Sequence, residues 1–182
     1  MLEPTITVRR AGRLDRDAQR DLLRAAYAQF RSAMPAEFFD GWMEDLMDVE
    51  ARERDAETYL AEIDRRPAGC ISFYRDGSQQ RFGDEWGDAR VRALAVHPDA
   101  RGFGVGLRLV DRCLVRAWAL RLPAVSLHTA DFMVAAKRLY ERFGFRRVPR
   151  YDFDAATVLG LESSVRLKVI AYSLALDPFP GT

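Results

Sequence analysis

Val91-Arg92-Ala93-Leu94-Ala95-Val96-His97-Pro98-Asp99-Ala100-Arg101-Gly102-Phe103-Gly104-Val105-Gly106 carries the chain from a strand, through a glycine turn, into a helix. Ala89 to Val96 is mostly apolar, and Pro98 breaks the run. From Gly106 to Leu120 the residues Leu107, Val110, Leu114, Ala117 and Trp118 recur at helical spacing, opposite Arg108, Asp111, Arg112 and Arg116. A helix that opens on such a turn points backbone N–H groups at whatever lies before it, and that end attracts phosphate. Glycine serves there because a side chain would hold the backbone away from the phosphate oxygens, and because such turns use positive φ. Arg101 adds a charged donor. By itself the triplet reads equally well as an ordinary tight turn. Spacing speaks against two kinds of phosphate site. A P-loop needs Lys followed by Ser or Thr after the last glycine, where this chain has Leu107-Arg108. A dinucleotide fingerprint opens the first βαβ unit and meets an acid after the next strand, whereas here the next strand ends in His128-Thr129-Ala130.

Outward from the turn, Ile6 and Val8 alternate with polar neighbours as a first strand, and Leu14 to Phe30 is helical, with Asp15 placed to cap it. Ala36 to Ala51 forms a second helix with Phe38, Phe39, Trp42, Met43, Leu46 and Met47 on one broad stripe. Thr58–Ile63 and Ala68–Tyr74 read as a hairpin about Asp64-Arg65-Arg66-Pro67, and Asp76 to Asp88 as an exposed connection. Beyond the turn helix come a strand over Ala124–Thr129, a helix over Val134–Phe143 stopped by Gly144, and closing strands over Phe145–Phe153 and Val165–Leu176. The pattern predicts an α/β (α+β) chain of about seven strands and about four helices.

Size and charge narrow the function. The 182 residues, 48% of them hydrophobic, suit one domain over 1–182. With 28 basic against 27 acidic side chains, bulk charge favours neither nucleic acid nor an anionic membrane as partner. Cys70 and Cys113 lack the spacing of a zinc site or a disulfide scaffold, and no metal is expected. The N-terminus has no basic start followed by an apolar run, and no segment reaches membrane-spanning length, so a cytoplasmic protein is expected.

The quoted stretch, followed at a distance by Ala136-Lys137-Arg138-Leu139-Tyr140-Glu141-Arg142-Phe143-Gly144-Phe145, resembles the GNAT N-acetyltransferases. The two motifs are specific in this order, and the flanking elements resemble the family's from about residue 5 to 176. The resemblance implies a mixed, mostly antiparallel central sheet flanked by helices, and acetyl-CoA as co-substrate. It implies that Leu94, Ala95 and Val96 pair with the pantetheine arm as another strand would. A backbone N–H near Leu94 would then polarise the thioester carbonyl. Arg101, Gly102, Phe103, Gly104, Val105, Gly106 and Leu107 would hold the pyrophosphate. Tyr140 matches the family tyrosine that protonates the departing thiolate, although spacing alone reads it as a core aromatic.

Transfer to an amine also needs a proton acceptor. Family members often place an acid or His on the turn strand; this chain has Arg90 and Arg92, and guanidinium is no base at neutral pH. His128 is the candidate base, with Glu85, Asp88 and Asp131 behind it, and its bland reading is a structural histidine. Met133 stands where many family members carry an asparagine. The acceptor, a small-molecule or peptide amine, would meet Phe38 and Trp42, with the alternative that these belong to a plain amphipathic helix. Arg90 and Arg92 would bind an acceptor carboxylate or be tied up in structural pairs. A homodimer through terminal strands is permitted by the apolar run Val169-Ile170-Ala171-Tyr172. Besides an active transferase, an acyl-CoA-binding sensor without turnover stays open, as does a nucleotide-phosphate enzyme.

Overall fold

The computed structural model describes residues 5–77, 88–158 and 166–176. The expected connection over Asp76–Asp88 falls mostly on residues 78–87, outside that range, as do Glu85 and Val165. The chain forms two compact units: Met1–Tyr74 with Val91–Arg116, and Arg75–Arg90 with Ala117–Thr182.

In the first unit the elements are β1 (Ile6–Arg10), α1 (Arg16–Tyr27), α2 (Ala36–Met47), α3 (Val49–Asp55), β2 (Ala56–Ile63), β3 (Arg66–Tyr74), most of β4 (Ala89–Val96) and most of α4 (Val105–Ala119). Its strands lie in the order β1-β2-β3-β4. β1 is antiparallel to β2, with Ile6 opposite Ile63, and β2 to β3, with Leu60 opposite Cys70. Nearly every residue from Glu57 to Ala61 and from Ala68 to Tyr74 is buried, which requires cover on both faces of the sheet. α1 packs Leu22, Leu23, Ala26 and Tyr27 inward and lies on β3. The hairpin loop needs only Asp64 and Arg65, both left-handed at φ 48° and 67°, the form that matches the twist of the strands.

Two expectations fail locally. Asp15 does not cap α1: its carboxylate accepts the Gly12 N–H at 2.8 Å and two bonds from Arg9 at 2.7 and 2.8 Å. Arg9 also reaches Glu62, so one guanidinium ties the start of α1 to β2. The long second helix divides at Asp48, whose Oδ1 accepts the Ala51 N–H at 2.9 Å and so starts α3.

The second unit holds the first residues of β4, the last of α4, β5 (Ala124–Ala130), α5 (Val134–Arg142), β6 (Arg146–Arg147), β7 (Phe153–Asp154), α6 (Ala155–Val158) and β8 (Lys168–Ala175). β4 pairs in parallel with β5 at Ala89 and Arg90. β5 pairs antiparallel with β8, and β6 and β7 line the other side of β8. The single closing strand expected over Phe145–Phe153 is interrupted because Pro149, which has no N–H, opens a short 3-10 turn through Tyr151. The run Val169–Tyr172 is therefore an interior strand with partners on both sides, and it offers no edge for dimerisation. Among the described residues there are eight strands and six α-helices, in a mostly antiparallel sheet with one parallel pair. None of those helices is long and apolar enough to cross a membrane.

Candidate active site

β4 is not a regular strand. Ala93 sits at φ 55°, a left-handed conformation that a non-glycine residue adopts in a strand only where a bulge or kink is built in. Around it Val91, Ala93 and Ala95 are buried, while Leu94 and Val96 are half-buried. Tyr27, at the end of α1, donates its hydroxyl to the Leu94 carbonyl at 3.1 Å and so holds the strand just past the kink. Burial raises the Tyr27 pKa, which makes it an anchor rather than a proton donor.

After Val96 a 3-10 turn over Pro98–Ala100 leads into the glycines. Gly102 and Gly104 have φ of 84° and 85°, and a Cβ built on either meets nothing within 4 Å. These glycines answer a backbone need, and the space above them is open. The first helical bond runs from the Arg108 N–H to the Gly104 carbonyl at 3.1 Å, so the N–H groups of Val105, Gly106 and Leu107 have no acceptor inside α4. Open glycines followed by these donors fit a pyrophosphate. Val105 contributes backbone only, since its side chain is buried, and Phe103 stands out between the glycines at 53% exposure. The Arg101 guanidinium leans on the end of α1, at 3.4 Å from both the Ala26 carbonyl and Gln29 Oε1.

Gly69 belongs to this construction and was passed over in the sequence. A Cβ there would lie 2.7 Å from the Ala95 carbonyl oxygen and 2.8 Å from Val105 Cγ1, so α4 and β4 approach β3 through the gap this glycine leaves. A glycine inside an apolar strand is the signal that would have found it.

The acceptor candidates separate. Phe38 is 5% exposed and part of the core, which corrects its expected place on a cleft wall. Trp42 is half-buried and meets Tyr27 edge-on at 4.9 Å, with Phe30 6.0 Å from Tyr27. Arg92 is ion-paired with Asp45 of α2. Arg90 is buried in the other unit, where its Nε donates to Ser126 Oγ at 3.4 Å.

In the second unit, His128 Nε2 lies 3.0 Å from the Tyr151 carbonyl oxygen, and its ring meets Phe153 edge-on. A carbonyl only accepts, so Nε2 carries the hydrogen and Nδ1 is the ring nitrogen able to take a proton. Asp152 holds the turn that presents this carbonyl: it accepts two bonds from Arg147 at 3.0 and 2.7 Å and the Ala171 N–H at 3.0 Å. Tyr140 is buried on α5 with Phe145 edge-on at 5.8 Å. Thr129 Oγ1 donates to the Met133 sulfur at 3.5 Å, so the threonine hydroxyl faces the residue that stands in the asparagine position. Asp131 is taken by Lys137 at 2.9 Å, which lowers its pKa and its value as a base. Burial pushes the Cys70 thiol up to about 12 and the Cys113 thiol up as well, so neither is a nucleophile at neutral pH.

The Acetyltransferase (GNAT) family model matches residues 22–145. Over 67 residues the chain is 42% identical to mycothiol acetyltransferase of Geodermatophilus obscurus, a match that covers 36% of this chain and 22% of that protein. The chain therefore spans well under half the length of this relative. Among solved structures, a GCN5-related N-acetyltransferase from Rhodopseudomonas palustris superposes with a TM-score of 0.70 at 18% identity, covering 97% of this chain and 99% of the other. A Salmonella typhimurium structure solved with acetyl-CoA gives a TM-score of 0.65 at 17% identity, over 97% and 96%. At these identities the two superpositions speak for the fold.

Proposed function

The chain belongs to the acetyltransferase (GNAT) family, and on that premise we propose that it transfers an acetyl group from acetyl-CoA to the primary amine of a small molecule or peptide, by direct attack with both substrates bound. The observation that carries this reading is the left-handed backbone at Ala93, Gly102 and Gly104, which bends β4 and opens a phosphate cradle at the start of α4. Acetyl-CoA supplies the acetyl group activated as a thioester. The turn from Arg101 to Leu107 binds pyrophosphate through backbone N–H groups, and Leu94, Ala95 and Val96 offer main-chain partners to the arm. The Leu94 N–H stabilises negative charge on the acetyl oxygen. His128 takes the acceptor's proton at Nδ1, directly or through water, as the carbon–nitrogen bond forms. Tyr140 gives its phenolic proton to the sulfur as the carbon–sulfur bond breaks. We place the activity in the cytoplasm, in keeping with two buried free thiols.

Thiol release from acetyl-CoA with a panel of amines tests the proposal. Turnover should fall by about 100-fold or more in Tyr140→Phe, the usual contribution of a general acid. A mutant that keeps full rate removes Tyr140 from the mechanism. One observation favours the sensor reading, namely that arginines rather than acids occupy β4. Tight acetyl-CoA binding with no turnover for any amine would decide for it.

A further inference from the structure

The side chain of Phe103 has no part in holding pyrophosphate, which falls to the backbone of the turn. Among the described residues Phe103 and Trp118 are the exposed Phe and Trp side chains, and Trp118 stands in the last turn of α4, at the other end of that helix. Gly102 and Gly104 flank Phe103 with left-handed backbone, and nothing beyond their chain neighbours comes within 4 Å of a Cβ built on either. The ring therefore rises from open backbone, with no side-chain wall on either flank.

Its neighbours in the turn are otherwise engaged. The Arg101 guanidinium leans on the end of α1, and the Val105 side chain is buried. Phe103 offers a phosphate neither charge nor a side-chain hydrogen bond. What it offers is an apolar π-face, more than half of it left in water, and a ligand that covers such a face gains by doing so.

Coenzyme A has one part suited to that face. Its arm is aliphatic and amide, its phosphates are anionic, and its adenine is a flat base of the kind that stacks on aromatic side chains. β4 ends at Val96, before the turn, and α4 begins at Val105, after it. With the arm along Leu94, Ala95 and Val96 and the pyrophosphate on the turn, the adenosine is the portion that continues past the strand. We propose that Phe103 stacks on the adenine of coenzyme A, so that a side chain of the turn reads the base while the backbone around it reads the phosphates. The proposal rests on the coenzyme reading of the turn and goes beyond it by making the base a determinant of affinity.

The ethenoadenine analogue of coenzyme A, whose modified base is fluorescent, tests the contact without requiring turnover. Bound to wild type, the base should be quenched and shielded from iodide. Phe103→Ala should weaken coenzyme A by about 5- to 50-fold in titration calorimetry, the lower part of the range for a base stacked on an aromatic side chain. At saturating protein, that mutant should leave the base as bright and as open to iodide as the free analogue. Phe103→Trp should restore affinity and quenching, whereas Phe103→Leu, apolar but without a π-face, should not. The ligand-free Tm should stay within about 2 °C across the set, as expected of an exposed position. A base that stays bright and accessible on wild type, unchanged coenzyme A affinity in Phe103→Ala, full affinity in Phe103→Leu, or a ligand-free Tm that falls along with the affinity each overturns the stacking and leaves the coenzyme site in place. A wild-type protein that binds no coenzyme A overturns both.

Discussion

Replacing Gly69 by alanine tests whether the approach of α4 and β4 to β3 is as close as the geometry says. The new methyl carbon would lie 2.7 Å from the Ala95 carbonyl oxygen, 2.8 Å from Val105 Cγ1 and 3.1 Å from Leu109 Cδ1. All three neighbours are buried, so none can swing into solvent. Overpacking of this kind costs about 1–3 kcal/mol, and the lower chain entropy of unfolded alanine returns about 0.4–1 kcal/mol. A net loss of about 1–2 kcal/mol corresponds to a Tm lowered by roughly 2–8 °C for a chain of this size. Relief has to come from moving Ala95 or Val105, which flank the glycine turn, so coenzyme A should bind about tenfold more weakly than a simple loss of stability explains. Gly41→Ala is the matched control. Nothing lies within 4 Å of a Cβ at this exposed site on α2, and helix propensity makes the change stabilising by about 0.8–1 kcal/mol. Thermal melts with and without coenzyme A measure both mutants. A Gly69→Ala protein with wild-type Tm and wild-type coenzyme A affinity would refute the packing argument.

Three further outcomes follow from single contacts. Arg9 holds the Asp15 carboxyl at about 2, below its ordinary value, so its contribution to stability is complete above about pH 5 and is lost as pH falls toward 2; Asp15→Asn should flatten that acid limb in melts run against pH. Arg65→Gly should raise stability by up to about 1 kcal/mol in denaturant titrations, because Arg65 holds φ 67° without a residue type suited to it. Asp152→Asn should loosen the turn that carries the Tyr151 carbonyl and mix the two ring tautomers of His128, a change read directly from its ring nitrogen shifts by NMR; an unmoved spectrum would show that Asp152 does not position the histidine.

Elements whose apolar spacing is regular were legible in the sequence. α4 and β5 stand within a residue of their expected bounds, and the glycine turn lies where it was read. Helix ends set by one side chain were not legible. Asp48 divides the second helix because its carboxylate finds the Ala51 N–H, and Asp15 fails to cap α1 because Arg9, distant in spacing rules though near in sequence, competes for it. The acceptor side resisted for a similar reason. Phe38 and Trp42 occupy the same stripe of one amphipathic helix, and only tertiary packing buries the first and leaves the second half-covered. Arg52 carried no signal at all, since an arginine within a short, highly charged helix reads as solvated until its burial is seen.

Backbone strain separates what is structural in this chain from what is built for chemistry. Among the described residues four non-glycine positions have positive φ. Asp64 and Arg65 make a hairpin turn that requires it. Arg121 ends α4, where its N–H returns to the Trp118 carbonyl and that of Leu122 to the Ala117 carbonyl, an ordinary helix stop. Ala93 has no such local reason. It lies inside a strand, buried, where a left-handed alanine costs about 1–2 kcal/mol and no turn or cap repays it. Strain that local structure does not explain persists when the surroundings impose it, and it gathers at functional sites. What imposes it here is visible on both sides: Asp45 holds Arg92 just before the kink, and the Tyr27 hydroxyl holds the Leu94 carbonyl just after. The bend in β4 is therefore clamped by residues of α1 and α2, Tyr27 from the first and Asp45 from the second. Breaking that clamp with Asp45→Asn should accordingly relax the bend and weaken coenzyme A binding, and an unchanged affinity by calorimetry would show that the ion pair does not impose the strain.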